Sequence, residues 1–122
     1  MTQSARDRGQ DAEFACCRYL QQQGLELLAR NYRGRRGELD LIMRDRNTVV
    51  FIEVRYRKNM AFGGAVESIT SSKQHKLRVT AEQYLQQETE LNNGRFDVVA
   101  MTDKVQNNGS KSYSFEWIKN AF

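Results

Sequence analysis

The hydrophobic pattern at the start of the chain predicts an amphipathic helix. Small and apolar side chains recur at helical spacing between Ser4, which can cap a helix, and Gly24, which can end one. The members of this stripe are Ala5, Gly9, Ala12, Cys16, Tyr19 and Leu20. Polar and charged residues fill the intervening positions, so we expect one helix face to pack on a core and the other to meet water.

The next stretch alternates or clusters apolar residues in a way that favours strands. We predict a strand over residues 25–32 and a turn over 33–37, where Gly34 and Gly37 permit a tight reversal. Two further strands are predicted over 38–44 and 48–56, because both segments are rich in Leu, Ile, Val and Phe. The short polar connection between them indicates a hairpin.

The second half of the chain predicts a loop, a helix and a buried strand. Residues 57–67 are typical of a loop, and Thr70 or Ser71 can cap a helix that carries Leu77, Ala81, Tyr84 and Leu85 on one stripe. Residues 96–101 form a nearly continuous apolar run, as expected of a buried parallel strand reached by a helical crossover. Residues 113–118 predict a last edge strand. The order α-β-β-β-α-β-(β) indicates a single α/β domain over residues 1–122.

The predicted hairpin has one register in which the apolar faces of its two strands coincide. It places Arg46-Asn47 in a two-residue turn, and its core pairs are Leu41 with Ile52 and Met43 with Val50. On the other face Asp40 then lies opposite Glu53. Two carboxylates about 5 Å apart repel by roughly 3 kcal/mol at an effective dielectric near 20. A shared hard cation, a raised pKa in one acid or a nearby arginine would each offset this repulsion.

The first predicted helix supplies a third acid at the edge of its apolar stripe. Glu13 lies one turn after Gly9, and the glycine leaves open space above it. Helical geometry alone leaves two interpretations open. Glu13 either joins the two strand acids or is a boundary residue that reaches solvent.

Composition narrows the chemistry that is available. The 122 residues include one histidine, His75, and the only cysteines are the neighbours Cys16 and Cys17, which excludes His-rich zinc sites and a disulfide framework. A hydrolytic metal would therefore need oxygen ligands. No segment resembles a secretory signal or approaches the roughly 20 apolar residues of a membrane span, so we expect a cytoplasmic protein without a membrane partner.

Positive charge is concentrated around the acids. The net charge is +4, but residues 30–58 hold nine basic residues against four acidic ones, a net +5. Those that flank the acids on the adjoining loops are Arg33, Arg35, Arg36, Arg57 and Lys58. They either bind the phosphates of a nucleic acid, which we expect to be DNA, or form ordinary solvated surface. No established base-reading motif supports sequence-specific recognition.

Several motifs together resemble a known family. They are Gly9 with Glu13, Gly37-Glu38-Leu39-Asp40-Leu41-Ile42, Phe51-Ile52-Glu53-Val54-Arg55, Lys73, and Arg95-Phe96-Asp97-Val98-Val99. Over nearly its whole length the chain resembles the bacterial YraN family, which is similar to Holliday-junction resolvases within the restriction-endonuclease-like superfamily. The resemblance implies an αβββαβ core with a central mixed sheet flanked by helices.

The resemblance also implies a nuclease site. The superfamily signature is an acid on the first helix, an Asp on a strand and Glu-x-Lys on the next strand, and Glu13, Asp40 and Glu53 match its acids. In active relatives the two strand acids and the carbonyl between Glu and Lys hold the metal. The implied ligands of Mg²⁺ or Mn²⁺ are thus Asp40, Glu53 and the Val54 carbonyl, with Glu13 beside them.

Arg55 departs from the signature because it occupies the lysine position. In active relatives the lysine helps to place or activate the attacking water, whereas arginine has a pKa above 12 and can only orient a phosphate or stabilise negative charge. Alternatively, Arg55 simply neutralises the two acids. Lys73 points inward at the start of the second helix and either reaches the site or extends past the core edge into water. Glu38 is expected opposite Arg55 as an ion-pair partner.

Two hypotheses follow from the sequence. The first is a metal-dependent nuclease that acts on DNA, including branched or structured DNA. The alternative is a catalytically weak or inactive nucleic-acid-binding module of the same fold, working as a homodimer or with a protein partner. A small protein-binding adaptor is disfavoured because it explains neither the opposed acids nor the local charge.

Overall fold

A computed structural model describes residues 5–58 and 64–122, with side chains described from residue 9 onward. The elements are α1 (Ala5–Gln22), β1 (Glu26–Arg33), β2 (Glu38–Asp45), β3 (Thr48–Arg57), α2 (Ser71–Gln87), β4 (Asn93–Val105) and β5 (Lys111–Ile118). The predicted α/β class and element order are confirmed. The suggested cap Ser4 and the middle of the predicted loop, residues 59–63, lie outside the described residues.

The five strands form one mixed sheet in chain order, β1-β2-β3-β4-β5. Strands β3 and β4 run parallel and are joined by the α2 crossover, whereas the other neighbours are antiparallel. The helices cover opposite faces, because alternate strand residues pack on different helices. Against α1 lie Leu41, Met43, Val50 and Ile52, and against α2 lie Ile42, Val49, Phe51 and Val98. In the described residues, neither helix has both the length and the apolar character of a transmembrane segment.

The helix ends follow the local signals in the sequence. Gly24 adopts a φ of +101°, and the Leu25 N–H donates to the Leu20 carbonyl at 3.1 Å, which closes the last turn of α1. Thr70 is the N-cap of α2, because its Oγ1 accepts the Lys73 N–H at 3.1 Å. This cap fixes where the first turn of α2 begins, and with it the position of Lys73.

The hairpin of β2 and β3 has the predicted register over its paired length. Pairing runs from Asp45 with Thr48 at the turn to Leu41 with Ile52. The two pairs that were predicted beyond this point, Asp40 with Glu53 and Glu38 with Arg55, are wrong, because the β2–β3 ladder ends at Leu41 and Ile52. Glu38 instead forms an ion pair with Arg33 of β1. Strand β4 is longer than predicted at both ends, since β3 pairs with its residues 93–102 and β5 with its residues 98–105.

Candidate active site

The three predicted acids line one cavity beside the end of the β2–β3 pairing. The cavity has a volume of about 540 Å³ and is lined by Gly9, Ala12, Glu13, Asp40, Glu53, Val54, Arg55, Tyr56, Arg57 and Lys58. Gly9 contributes open space, because a Cβ atom built there would meet no atom within 4 Å. The residues come from α1, β2 and β3 and from the start of the segment that follows β3.

Asp40 lies where the two central strands stop pairing through their backbones. The last pair is Leu41 with Ile52, and beyond it Asp40 Oδ2 accepts the Val54 N–H at 2.9 Å. A carboxylate thus replaces the backbone carbonyl that would continue an antiparallel ladder. This bond brings Asp40 beside the backbone that follows Glu53.

Burial and neighbouring carboxylates raise the pKa of Asp40 and of Glu13. Burial raises the pKa of Asp40 to about 8, with a further contribution from the Glu53 carboxylate, and these effects outweigh the Val54 hydrogen bond and the Lys73 charge. Burial also raises the pKa of Glu13, followed by repulsion from Glu38, although Glu13 lies within hydrogen-bonding reach of Asp40. In the absence of a cation, the cluster therefore retains a proton near neutral pH.

Glu53 is buried and has unequal environments at its two oxygens. Lys73 Nζ lies 3.1 Å from Oε1, and Arg55 Nη2 lies 3.9 Å from the same atom. Oε2 is buried without a hydrogen-bond partner, as is Arg55 Nε. Two cations therefore balance one side of Glu53, whereas its other oxygen is available to a ligand inside the cavity.

The predicted basic residues divide into three groups. Arg57 and Lys58 line the acid cavity itself. Arg33 lines an adjoining cavity of about 590 Å³, which shares Gly9 and Glu13 with the first. Arg35 and Arg36 are exposed in the turn between β1 and β2, which is attached to α2 by the bond from the Arg35 N–H to Gln83 Oε1 at 3.0 Å.

Asn31 is a residue of this region that the sequence analysis missed. It lies in β1 at a φ of +53°, between the pairs that join Arg30 to Leu41 and Tyr32 to Leu39. With the amide nitrogen facing the adjacent acids, it donates to Glu13 Oε2 and to Glu38 Oε1, both at 3.1 Å. The available signal was an asparagine inside a predicted strand, because asparagine tolerates positive φ better than most residues.

The donors around the cavity suit a hard divalent cation. In the part of the chain that the structure describes, no three His, Cys, Asp or Glu side chains form a ready-made metal cluster. Nevertheless the available donors are all oxygen, and Glu53 Oε2 is buried without a partner. Asp40, Glu53 and the Val54 carbonyl are the groups that would hold Mg²⁺ or Mn²⁺, with Glu13 adjoining them.

Comparison with known proteins gives full-length relatives. The family described as "Uncharacterised protein family UPF0102" matches residues 12–101. A UPF0102 protein of Pseudomonas putida strain F1 is 50% identical over 116 residues, which span 93% of this chain and 91% of the relative. A UPF0102 protein of Pseudomonas aeruginosa strain LESB58 is 46% identical over 122 residues, which span 98% and 95%. One from Nitrosococcus oceani is 46% identical over 119 residues, spanning 96% and 92%.

Proposed function

The chain belongs to uncharacterised protein family UPF0102, the YraN family, and we propose that it is a metal-dependent nuclease acting on DNA, with branched or otherwise structured DNA as the expected substrate. The observation that carries this proposal is the buried acid pair: Glu53 Oε2 has no partner, and the adjacent Asp40 has a pKa raised to about 8. A buried carboxylate oxygen without a hydrogen-bond partner costs folding free energy. A site that binds a cation recovers that cost as binding energy.

The acids have distinct positions around the proposed metal. Asp40 and Glu53, on neighbouring strands, would hold it together with the Val54 carbonyl, and Glu13 on α1 would adjoin them. When bound, Mg²⁺ or Mn²⁺ would neutralise charge on the scissile phosphate and make a bound water more acidic. Asp40 keeps one oxygen on the Val54 N–H, which fixes the orientation of its carboxylate toward the cavity.

Lys73 is suited to placing the attacking water, which Arg55 cannot activate because arginine does not lose its proton. Its ammonium contacts Glu53 Oε1 at 3.1 Å, and its side chain is 43% exposed, so it faces both the acid and solvent. A lysine in this position can hold a water beside Glu53. Arg55 is more enclosed, and its guanidinium is suited to orienting a phosphate or stabilising negative charge that develops there. We therefore assign water placement to Lys73 and phosphate orientation to Arg55.

Basic side chains near the cavity supply contacts to the DNA backbone. Arg57 and Lys58 line the same cavity as the acids, and Arg33 lines the adjoining one. Arg35 and Arg36 extend this surface along the turn before β2. Contacts of this kind bind phosphates without selecting a base sequence, which suits an enzyme that recognises DNA shape.

A nucleic-acid-binding module without cleavage is the second candidate. It is favoured by one observation: Lys73 and Arg55 both contact Glu53 Oε1, so much of the acid's charge is balanced by side chains alone. In this alternative the basic surface binds DNA, and the acid cluster is retained without catalysis. The two candidates share a fold and differ in chemistry.

The test is cleavage of four-way-junction, single-stranded and duplex DNA by purified protein in Mg²⁺ or Mn²⁺. We expect the wild type to cut and Asp40→Asn to be inactive. Lys73→Met should lose 100-fold or more in rate, in the range for a group that assists proton transfer. Lys76→Met is the matched control, because Lys76 is an exposed lysine three residues after Lys73 on the same helix; it should cut normally.

Substitutions of Arg55 separate the two candidates further. If Arg55 acts only through its charge, Arg55→Lys should cut and Arg55→Ala should not. If the arginine has abolished cutting, the wild type should be inactive, Arg55→Lys should gain weak activity, and Asp40→Asn should remove that activity again. If neither the wild type nor Arg55→Lys cuts any substrate while binding stays salt-dependent, the nuclease is rejected and the binding module stands.

A further inference from the structure

Asn31 interrupts the regular geometry of the sheet beside the acid cavity. Its φ of +53° lies in the left-handed region, which non-glycine residues rarely adopt inside a strand. Because Arg30 pairs with Leu41 and Tyr32 with Leu39, Asn31 lies opposite Asp40. Such a conformation persists only where the surrounding structure holds it, and it is concentrated at functional sites.

In β2, opposite Asn31, the side chains stop alternating between the two faces of the sheet. Leu41 packs with the core under α1, whereas Leu39, only two residues away, packs with the core under α2. In a regular strand these two side chains would share a face. The change of face is centred on Asp40, so the irregularity re-aims this carboxyl group.

The Asn31 amide joins the helix to the sheet. With its nitrogen turned toward the acids, the amide donates to Glu13 Oε2 and Glu38 Oε1 at 3.1 Å each. An amide between two carboxylates is best satisfied when its nitrogen faces both, because the oxygen would be repelled there. Glu13 lines the acid cavity and the adjoining one, so this bond fixes a carboxylate at the boundary between them.

We propose that Asn31 is a positioning residue of the acid site: its amide holds the Glu13 carboxylate beside Asp40, and its left-handed backbone sets the direction of Asp40. The inference rests on the proposed function, because it concerns the carboxylates that would bind the divalent cation. Asn31 itself does not contact the metal. It acts through Glu13, as residues around metal sites do when they orient the ligands.

The test separates the amide from the backbone. Asn31→Gly keeps the left-handed conformation accessible and removes the amide, whereas Asn31→Ala removes the amide and also strains the backbone. We expect Asn31→Gly to unfold at the wild-type urea concentration but to bind Mn²⁺ 10- to 100-fold more weakly in calorimetric titration. Asn31→Ala should bind Mn²⁺ more weakly still, because the strained backbone also changes the direction of Asp40, and it should unfold at a lower urea concentration.

Asn120 provides a matched control. It has nearly the same positive φ, 54°, but its N–H binds Asp97, and it does not line the acid cavity. Asn120→Gly should therefore leave Mn²⁺ affinity unchanged. Wild-type affinity in Asn31→Gly would overturn the positioning proposal and leave the proposed nuclease intact.

A second measurement keeps the two proposals distinguishable. If the wild type itself binds no Mn²⁺, the metal-dependent function fails, and the positioning proposal is then decided by crystal structures of the metal-free wild type and Asn31→Gly. A Glu13 carboxylate that leaves Asp40 in the variant supports positioning. A Glu13 carboxylate that stays in place overturns it.

Discussion

The sheet carries buried acids in two regions, and their surroundings are opposite in character. Asp97 of β4 is fully buried, and its oxygens accept bonds from the Arg95 guanidinium, from Trp117 Nε1 at 2.8 Å and from the Asn120 N–H at 3.0 Å. In the acid cavity, by contrast, Glu53 Oε2 is buried without a partner, and Asp40 faces a second carboxylate.

The difference shows why a motif alone does not reveal its role. The segments around Asp97 and around Glu53 both belong to the motifs that resemble the YraN family. Once hydrogen bonds are assigned, however, Asp97 has donors on both oxygens and connects β4 to the end of the chain, whereas Glu53 has an oxygen left over. A buried acid with all its bonds made stabilises the fold. One with unmade bonds among like charges indicates a ligand site.

The largest expected effect is therefore a difference in folding stability between variants of Asp97 and variants of Asp40. Asp97→Ala should lower the free energy of unfolding by about 3 kcal/mol or more, because it leaves the Trp117 and Asn120 N–H groups without their acceptor and leaves Arg95 with only its ion pair to Asp45. Asp40→Asn in the metal-free protein should be neutral or stabilising, since an amide oxygen can still accept the Val54 N–H and the repulsion from Glu53 is removed.

Urea unfolding of both variants in EDTA measures this contrast. A marked loss of stability in metal-free Asp40→Asn would mean that the Asp40 carboxyl is structural, like Asp97. Equal stability of Asp97→Ala and the wild type would show that Asp97 does not stabilise the fold.

Most of the fold could be predicted because its determinants are local or depend on a simple period. Gly24 and Thr70 set helix boundaries through backbone conformation and capping, and the apolar faces of β2 and β3 permit one register. The predictions that Asp40 lies opposite Glu53 and Glu38 opposite Arg55 were wrong because they extended that register past Leu41 and Ile52, where backbone pairing ends. The Asp40 carboxylate instead accepts the Val54 N–H. An alternating pattern does not reveal where two strands separate.

The site was predictable in its residue types but only partly in its geometry. The direction of Lys73 followed from helical spacing, and the structure places its ammonium at Glu53. Asn31 could not be found in this way, because its left-handed backbone and its bonds to Glu13 and Glu38 depend on three elements packing together. Residues that act through tertiary contacts leave little trace in periodicity.

The folding stability of the metal-free protein should depend on pH through its acid cluster. The pKa of Asp40 is raised to about 8 in the folded protein, so between about pH 4 and 8 the folded state holds a proton that the unfolded state has released. Stability should consequently fall as pH rises, by about 2 kcal/mol between pH 6 and 8, and level off above the folded pKa. The raised pKa of Glu13 acts in the same direction.

Urea unfolding in EDTA at pH 6, 7 and 8 checks this slope. Asp40→Asn should flatten it, because the substituted amide does not titrate. A wild-type stability that rises over this range would contradict the raised pKa of Asp40.

Substituting the basic residues should have the smallest effect on folding stability and a large effect on DNA binding. The far end of the sheet also has a cationic cavity, of about 670 Å³, whose lining includes Arg46, Arg95, Trp117 and Lys119. If phosphates bind around the acids, neutralising only the cations of the acid region should weaken salt-dependent binding. Substituting the two sets of cations therefore compares the surfaces of the acid-cavity region and the Asp97 region, whereas the first two predictions compare their buried acids.

Replacing Arg35, Arg36, Arg57 and Lys58 together with glutamine should leave the urea midpoint nearly unchanged and reduce the slope of log affinity against log salt by up to about 3, since each lost phosphate contact removes 0.7–0.9 of counterion release. The control is Arg46→Gln with Lys119→Gln, which removes two exposed cations from the far cavity and should keep the wild-type slope. Fluorescence anisotropy with a labelled four-way junction at several salt concentrations measures both. Equal slopes in the wild type and the fourfold variant would show that the cations around the acids are solvated surface. A flattened slope in the control alone would place the DNA at the Asp97 end of the sheet, away from the proposed catalytic site.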